Sequence, residues 1–378
     1  MTVLLKNAHL ISPDREIENG SLLIEDGRIT ALINDESTPA ADTVIDAAGR
    51  IAMPGFIDIH SHGADRCDVC DDDLAGIRQI AGRKLQEGVT TWLPTTLTQP
   101  ADKLKSIVGT VAEYAAKPEF TRCPGLHIEG PFINVTKAGA QNPEFVREPD
   151  FDEIAALHEI CPALIVSVAP DVPGAIDFIT RASAAGITTS AAHTASTCEQ
   201  ILAAKAAGLT HLTHYGNAMT PLHHREIGVV GTGLLDDELM VELICDTIHL
   251  CPDMLRLVFK RIAIDRLMMI TDSMAASWIG KGEVMLGGLE VVVENGAARL
   301  KDGGALAGSA LLFNHGLKNV AEITGLPLHQ IVKATSWNQA RSLGLEHFGK
   351  LEPGFHADIV LLQQNFDVWK TLVGGEER

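Results

Sequence analysis

Short apolar runs alternate with amphipathic segments through the middle of the chain. Eight of these runs have the length and composition of buried strands, namely GFIDIHSH, VTTWLPTT, GLHIEGPF, LIVSVAP, GITTSAAH, HLTHYGNA, LMVELICDTIH and RLMMITDS. The segments between them, such as CEQILAAKAAG and AIDFITRASAAG, carry apolar residues at helical spacing and end in Gly, which commonly follows a helix. This alternation predicts an α/β fold, either a (β/α)₈ TIM-like barrel or a doubly wound open sheet.

The positions of ionisable side chains favour the barrel. They recur at the C-terminal ends of six runs, as His60 and His62, Glu129, His193, His214, His249 and Asp272. In a barrel all of these strand ends face one mouth, where the active site is built. An open sheet would spread them over roughly 25 to 35 Å, because neighbouring strands lie about 4.8 Å apart. We therefore expect a barrel with its active site at this mouth.

Both ends of the chain have a different pattern, with short strands separated by turns. Asp26-Gly27 between two apolar runs predicts a β-hairpin. We expect residues 1–52 and 350–378 to pair into a small β-sandwich domain and residues 53–349 to form the barrel. Strand-like runs and Gly-rich turns after the eighth strand predict a β-hairpin insertion near residues 283–305.

Composition and charge exclude several classes of protein. The 378 residues are 46% hydrophobic and 21% charged, which is typical of a globular protein with a large core. A net charge of −19 argues against a nucleic-acid surface and requires a local basic pocket for any anionic substrate. No run reaches the roughly 18 apolar residues of a membrane span, and the N-terminus lacks a leader pattern, so we expect a cytoplasmic protein that binds no membrane. Seven scattered cysteines, with Cys67 and Cys70 in one CxxC, indicate free thiols.

The histidines and carboxylates at the strand ends predict metal chemistry. Alternate side chains of a strand share a face, so His60 and His62 can bind one ion, although such a pair by itself is more often two solvated loop histidines. His and carboxylate ligands without thiolates suit zinc or another divalent metal. Such a metal lowers the pKa of bound water to about 7, and Asp272 is placed to act as general base and then general acid. The chain lacks a Gly-x-Ser-x-Gly elbow, which leaves metal-assisted hydrolysis as the leading reaction class.

Several motifs together carry a family resemblance. They run in the order PGFIDIHSHG, GLHIEGPFIN, AAHT, THYGNAMTPLHHRE, ICDTIH, ITDS and LAGSAL, within a match from about Val3 to Val373. In this order they resemble the amidohydrolase superfamily and, within it, the N-acetylglucosamine-6-phosphate deacetylase family. The resemblance implies removal of the acetyl group from an N-acetylated amino-sugar phosphate, giving glucosamine 6-phosphate and acetate from N-acetylglucosamine 6-phosphate.

The resemblance also implies roles for individual residues. Glu129, His193 and His214 would hold the main metal, and His60 and His62 would hold a second ion that some relatives lack. Asp272 would be the catalytic acid and base and a metal ligand. The metal would be zinc, with iron or manganese as alternatives, in one or two ions per subunit. The substrate would contact Ala140, Gln141, Asn217, Ala218, Arg225, Asp246, His249, Leu306, Ala307 and Gly308. Arg225 would reach a neighbouring active site, which implies a homodimer.

Three positions depart from the family pattern. Gln141 replaces a histidine expected to touch the sugar, Gly216 replaces a bulky residue, and AAHT replaces a more common Gly-His-Ser or Gly-His-Thr. These changes spare the expected metal ligands but alter the pocket. Two alternatives to the deacetylase therefore stay open. The first is another amidohydrolase, an amidase or deaminase with a different substrate. The second is a non-catalytic barrel that acts as a binding protein.

Overall fold

Both chain ends contribute to one sheet. The computed structural model of the chain describes residues 1–34 and 39–378. The first five strands are β1 (Thr2–Ser12), β2 (Arg15–Glu25), β3 (Arg28–Ile33), β4 (Thr43–Asp46) and β5 (Ile51–Pro54). Three strands from the C-terminal end complete this eight-stranded sheet, and the first of them pairs antiparallel to β5. The division of the chain into two domains stays a prediction.

The predicted hairpin at Asp26-Gly27 is present. It joins β2 to β3, which pair antiparallel. Asp26 and Gly27 have φ angles of 49° and 78°. Positive φ at both central residues is what a two-residue hairpin turn matched to the strand twist requires, and the Asp-Gly pair accommodates it.

The second sheet forms the barrel. It begins with β6 (Phe56–Ser61), which is followed by a two-stranded ribbon of β7 (Gly63–Ala64) and β8 (Cys67–Asp68). The other barrel strands are β9 (Val89–Thr96), β10 (Leu126–Glu129), β11 (Ala163–Val168), β12 (Thr188–Ala191), β13 (His211–Leu212), β14 (Met240–Ile244) and β15 (Leu267–Ile270). Neighbouring strands are parallel, and each coincides with one of the eight predicted runs, with β11 beginning one residue before its run.

Backbone hydrogen bonds close the barrel between β15 and β6. The Asp272 amide donates to the His60 carbonyl at 2.9 Å, and the His62 amide donates to the Ser273 carbonyl at 2.8 Å. The seam therefore lies directly beside the ionisable residues that end these two strands. The predicted (β/α)₈ barrel is confirmed.

Helices cover the barrel and follow its strands. They are α1 (Leu74–Gln86), α2 (Ala101–Ala116), α3 (Phe151–His158), α4 (Ala175–Ala184), α5 (Cys198–Ala207), α6 (Gly228–Leu235), α7 (Pro252–Arg261), α8 (Phe313–Thr324), α9 (Leu328–Val332) and α10 (Asn338–Ser342). Short 3₁₀ turns occupy Val69–Asp71, Val135–Lys137, Pro143–Phe145 and Ile264–Arg266, and Lys333–Trp337 is a π-helical turn. Helix α5 begins with a capping box between Thr197 and Gln200. It ends at Gly208, whose φ of 117° suits a residue without a side chain.

An antiparallel sheet interrupts the chain after β15. Its strands are β16 (Gly282–Leu286), β17 (Leu289–Glu294) and β18 (Ala297–Leu300). The sequence predicts a hairpin here, whereas the structure has a third strand. Asn295 and Gly296 form the turn before it, with φ angles of 53° and 77°. The remaining strands are β19 (Ile359–Leu362), β20 (Val368–Val373) and β21 (Glu376–Glu377), which belong to the first sheet.

A buried ion cluster supports the seam of the barrel. The Lys84 ammonium, on α1, lies 3.1 Å from Asp58 and 3.3 Å from Glu87, and all three side chains are fully buried. Asp58 also accepts hydrogen bonds from the Thr271 amide at 3.2 Å and its hydroxyl at 2.6 Å. Because Asp58 belongs to β6 and Thr271 follows β15, this carboxylate ties the two closing strands together.

The expected free thiols are present. All seven cysteines are unbonded. Among the residues that the structure describes, no helix has the length and apolar composition needed to cross a membrane.

Candidate active site

Two histidines and a glutamate form the first cluster of possible metal ligands. The Nε2 atoms of His193 and His214 lie 3.2 and 3.1 Å from Oε1 of Glu129, and 3.2 Å from each other. The three residues follow or end β12, β13 and β10, at the same mouth of the barrel. The parallel strands thus bring together residues that are 85 positions apart in the sequence.

A second cluster shares the same glutamate. The Nε2 atoms of His60 and His62 lie 3.3 Å apart. Nε2 of His62 is 3.4 Å from Oε2 of Glu129, and Nε2 of His60 is 3.6 Å from Oε1. The Glu129 carboxylate therefore stands between two groups of buried donors, each of which can hold a metal ion.

Neighbouring acceptors orient three of the four imidazoles. Nδ1 of His62 lies 3.2 Å from the Thr95 carbonyl, and Nδ1 of His193 lies 2.8 Å from the Lys137 carbonyl. A carbonyl can only accept, so these Nδ1 atoms carry a proton, and in the neutral rings Nε2 keeps its lone pair. Nδ1 of His60 faces the Glu242 carboxylate at 3.4 Å. Nε2 atoms with free lone pairs that converge on a carboxylate are the donor set that zinc and similar divalent ions prefer.

Asp272 lies next to the second cluster. Its Oδ1 is 3.5 Å from Nε2 of His60 and 3.3 Å from Nε2 of His62. Burial would raise the pKa of this carboxyl, but the two imidazoles outweigh it and lower the pKa to about 2. Asp272 is therefore ionised at neutral pH, in the form that accepts a proton.

The carboxylates and imidazoles of the site also shift the pKa values of one another. Burial opposes the charge on Glu129, yet His60, His193 and His214 hold its pKa well below the usual range. Burial also lowers the pKa of His60, but the carboxylates of Asp272, Glu129 and Glu242 together raise it to about 10. The site thus has a strong preference for positive charge, which a divalent metal would satisfy.

Backbone strain is also present at the same strand ends. His193, His214, Ala218 and Asp272 have φ angles of 44°, 33°, 49° and 49°, in the left-handed region that residues with side chains rarely adopt. Such conformations cost of order 1–3 kcal/mol each and are maintained by the surrounding fold. The strain therefore falls on the residues whose side chains face the two clusters.

A cavity of about 350 Å³ opens above the clusters. Of the residues expected to bind substrate, seven line it: Ala140, Gln141, Asn217, Ala218, His249, Leu306 and Gly308. His60 lies beneath the floor and is fully buried. The volume is in the range of small-molecule sites in proteins.

Three expected substrate residues lie outside this cavity in the described part of the chain. Asp246 supports His249, whose Nδ1 is 2.7 Å from the Asp246 carboxylate. Burial lowers the pKa of His249, but this carboxylate raises it above its ordinary value. Ala307 is buried behind the lining, and Arg225 is exposed on the segment before α6.

Gln141 lines the cavity and contacts the glutamate that the two metal-ligand clusters share. Its amide nitrogen donates to Oε2 of Glu129, and its amide oxygen accepts from the Thr98 amide at 2.6 Å. Both polar ends of the side chain are therefore satisfied by the protein, and only 3% of the residue is exposed. One of the three expected departures from the family pattern thus lies directly on the shared carboxylate.

The sequence did not single out several residues of the site. Lys137 and Leu286 line the cavity, and Leu286 belongs to β16 of the insertion. Glu242 lies one layer deeper, behind His60. Lys137 lies in the loop after β10 and could have been found there as a local cation. In the sequence, the only indication of a role for Glu242 is that it is an acidic residue inside an apolar run.

Comparisons with known proteins agree with this geometry. The amidohydrolase family model matches residues 51–378. An N-acetylglucosamine-6-phosphate deacetylase of Lysinibacillus sphaericus is 31% identical, over 100% of this chain and 98% of that protein. An N-acetylgalactosamine-6-phosphate deacetylase of Escherichia coli O157:H7 is 33% identical, over 100% and 99% of the two chains.

A solved structure extends the match to three dimensions. It is the N-acetyl-D-glucosamine-6-phosphate deacetylase of Mycobacterium smegmatis, a mutant in complex with N-acetyl-D-glucosamine 6-phosphate. That chain is 28% identical to this one and superposes with a TM-score of 0.93, over 100% of this chain and 99% of that one. On these matches, the chain belongs to the amidohydrolase family, within its group of amino-sugar-phosphate deacetylases.

Proposed function

We propose that the chain is a metal-dependent deacetylase that hydrolyses N-acetylglucosamine 6-phosphate to glucosamine 6-phosphate and acetate. The observation that carries the proposal is the position of Asp272, ionised and 3.3 Å from one of two ligand clusters that share Glu129, at the floor of a cavity of about 350 Å³. Relatives named for this reaction match the whole length of the chain.

The donor set supports one divalent ion in each cluster, with Glu129 between them. Zinc suits imidazole and carboxylate donors, and iron or manganese can use the same set. When bound, such an ion lowers the pKa of water and polarises a carbonyl oxygen. His60, His62, His193 and His214 would hold the ions, and Asp272 would add a carboxylate oxygen to the second cluster.

Asp272 performs the proton transfers. As a carboxylate it takes a proton from the attacking water, and the water oxygen bonds to the acetamide carbon. The protonated Asp272 then returns the proton to the nitrogen as the carbon–nitrogen bond breaks, so that acetate and an amine leave. One residue therefore serves first as base and then as acid. Its position between β6 and β15, the two strands that close the barrel, allows both roles.

Basic groups around the cavity would recognise the phosphate. His249, with its raised pKa, and Lys137 line the cavity, and Arg225 would add a fixed charge from a second subunit. The proposal therefore includes a homodimer. We also propose a cytoplasmic location, which the seven free thiols support.

A second substrate has a specific observation in its favour. The relative named for N-acetylgalactosamine 6-phosphate is as similar to this chain as several named for the glucosamine compound. Gln141 also departs from the family pattern beside the cavity. The galactosamine epimer is thus the competing substrate within the same reaction.

Acetate release tests the proposal directly. The purified protein is given N-acetylglucosamine 6-phosphate, its galactosamine epimer, and the unphosphorylated sugar, with metal content measured on the same sample. We expect turnover that requires the phosphate and is lost after chelation. Turnover of only the epimer would move the assignment to that sugar. Full metal content without acetate from any of the three would overturn the deacetylase assignment.

A further inference from the structure

Glu242 is a buried carboxylate that the proposed reaction does not use. It lies on β14, where its neighbours Val241, Leu243 and Ile244 are buried and apolar, and it is itself fully buried. Its Oε2 is 3.4 Å from Nδ1 of His60. Its Oε1 has no hydrogen-bond partner among the residues that the structure describes.

Such a residue is costly to the fold. A buried carboxylate that lacks a full set of partners destabilises a protein relative to an apolar side chain of similar size. Within the described residues, the only ion pairs of Glu242 are with the rings of His60 and His211, and the latter is at 3.8 Å. No lysine or arginine compensates it there. The positive charge that Glu242 meets is therefore on His60 or on an ion that His60 binds.

His60 differs from the other imidazoles in this respect. His62 and His193 are oriented by neutral backbone carbonyls, and Nδ1 of His214 has no partner among the described residues. Of the four imidazoles in the two clusters, His60 is the one whose Nδ1 faces a carboxylate in the described part of the chain. A carboxylate behind a metal-binding histidine fixes the ring and makes the other nitrogen a stronger donor.

We propose that Glu242 is a positioning residue for the second cluster, which holds His60 so that a second divalent ion binds there. Accepting a hydrogen bond from Nδ1–H of His60 directs Nε2 toward His62 and Glu129, at 3.3 and 3.6 Å. Glu242 also adds a third carboxylate to those of Glu129 and Asp272. The inference rests on the metal requirement of the proposed function but not on its substrate.

Titration of the metal-free protein with cobalt(II) tests this inference. Binding is measured by calorimetry and by the visible spectrum of the bound ion. We expect two ions per wild-type chain. In Glu242→Gln, which keeps the shape and an acceptor oxygen but removes the charge, one binding step should weaken roughly 10- to 100-fold while the other is unchanged. Adding Glu242→Gln to His60→Asn should have no further effect, because the step it supports is already lost.

Glu87→Gln is the matched control. Glu87 is also fully buried, but its partners are Lys84, Trp278 and the Phe313 amide, and it contacts none of the expected ligands. It should lower stability and leave both binding steps intact. One ion per wild-type chain, equal weakening of both steps, or two unchanged steps in Glu242→Gln would each overturn the inference. Normal cobalt binding without acetate release would instead count against the proposed function alone.

Discussion

The position of Asp272 gives its side chain two features that a proton carrier needs. The carboxyl is ionised, with a pKa lowered to about 2, and it lies at a seam where β6 and β15 hold its backbone. Its φ of 49° is a strained conformation that Asn tolerates better than most residues. An amide can thus replace the carboxyl with little change in the backbone.

Asp272→Asn should retain metal and fold but lower turnover by about 10²- to 10⁴-fold, because the amide cannot accept the proton from water. Acetate release and metal analysis on the same sample measure both effects. Asp253→Asn, at an exposed position at the start of α7, is the control and should be fully active. Activity of Asp272→Asn within tenfold of wild type would contradict the role of Asp272.

His60 predicts how the metal-free protein responds to pH. Its pKa is raised to about 10 in the fold, above an unfolded value of about 6.5. The stability that it contributes is complete below the unfolded value and is lost as the pH rises through the folded value. Chelated protein should therefore lose stability between pH 6.5 and 10, with a slope approaching about 1.4 kcal/mol per pH unit. Urea unfolding across this range measures it, and an equal slope in His60→Asn would contradict the assignment.

At the scale of elements, the sequence predicted the barrel because each strand is a short apolar run and six of the eight runs end in ionisable residues. The convergence of His60, Glu129 and Asp272 followed from parallel topology, which brings strand ends together whatever their separation in sequence. The contact of Gln141 with Glu129 could not be predicted in this way. It depends on side-chain torsions in the loop after β10, and the periodicity of apolar residues contains no information about these torsions.

Lys84 illustrates a second limit at this scale. Composition places a lysine at the surface, but α1 packs Lys84 into the seam between Asp58 and Glu87. Glu87 is three residues from Lys84 in the chain, but only the tertiary structure brings Asp58 to this lysine, because that ion pair joins a helix to a strand 26 residues away.

Replacing Lys84 should destabilise the barrel strongly. Lys84→Met leaves two carboxylates buried without their cation, so we expect a loss of about 3–5 kcal/mol in the free energy of unfolding. Lys103→Met is the comparison, since Lys103 pairs with Asp72 at 3.4 Å while its side chain is 39% exposed. That variant should lose at most about 1 kcal/mol. Equal urea midpoints for the two variants would show that the stability of the seam does not depend on the charge of Lys84.

At the scale of the whole molecule, Arg225 is the residue whose proposed role in substrate binding is not explained by the structure of a single chain. It is exposed and donates to Nε2 of His224 at 2.7 Å, outside the cavity of its own subunit as far as the structure describes it. Its proposed role requires a second subunit, so neither the pattern of one sequence nor the geometry of one chain can establish it. Mixing two inactive variants provides the test.

Arg225→Ala and Asp272→Asn should each be nearly inactive alone, and activity should return when the two are unfolded together and refolded as a mixture. In a mixed dimer, the site with an intact Asp272 receives Arg225 from the other subunit. Random pairing makes about half of the dimers mixed, with one complete site in each, so about a quarter of wild-type activity should appear. Arg256→Ala, at an exposed position on α7, should be active by itself. If Arg225 served its own subunit, no mixed dimer would contain a complete site, and a mixture without activity would exclude the exchange.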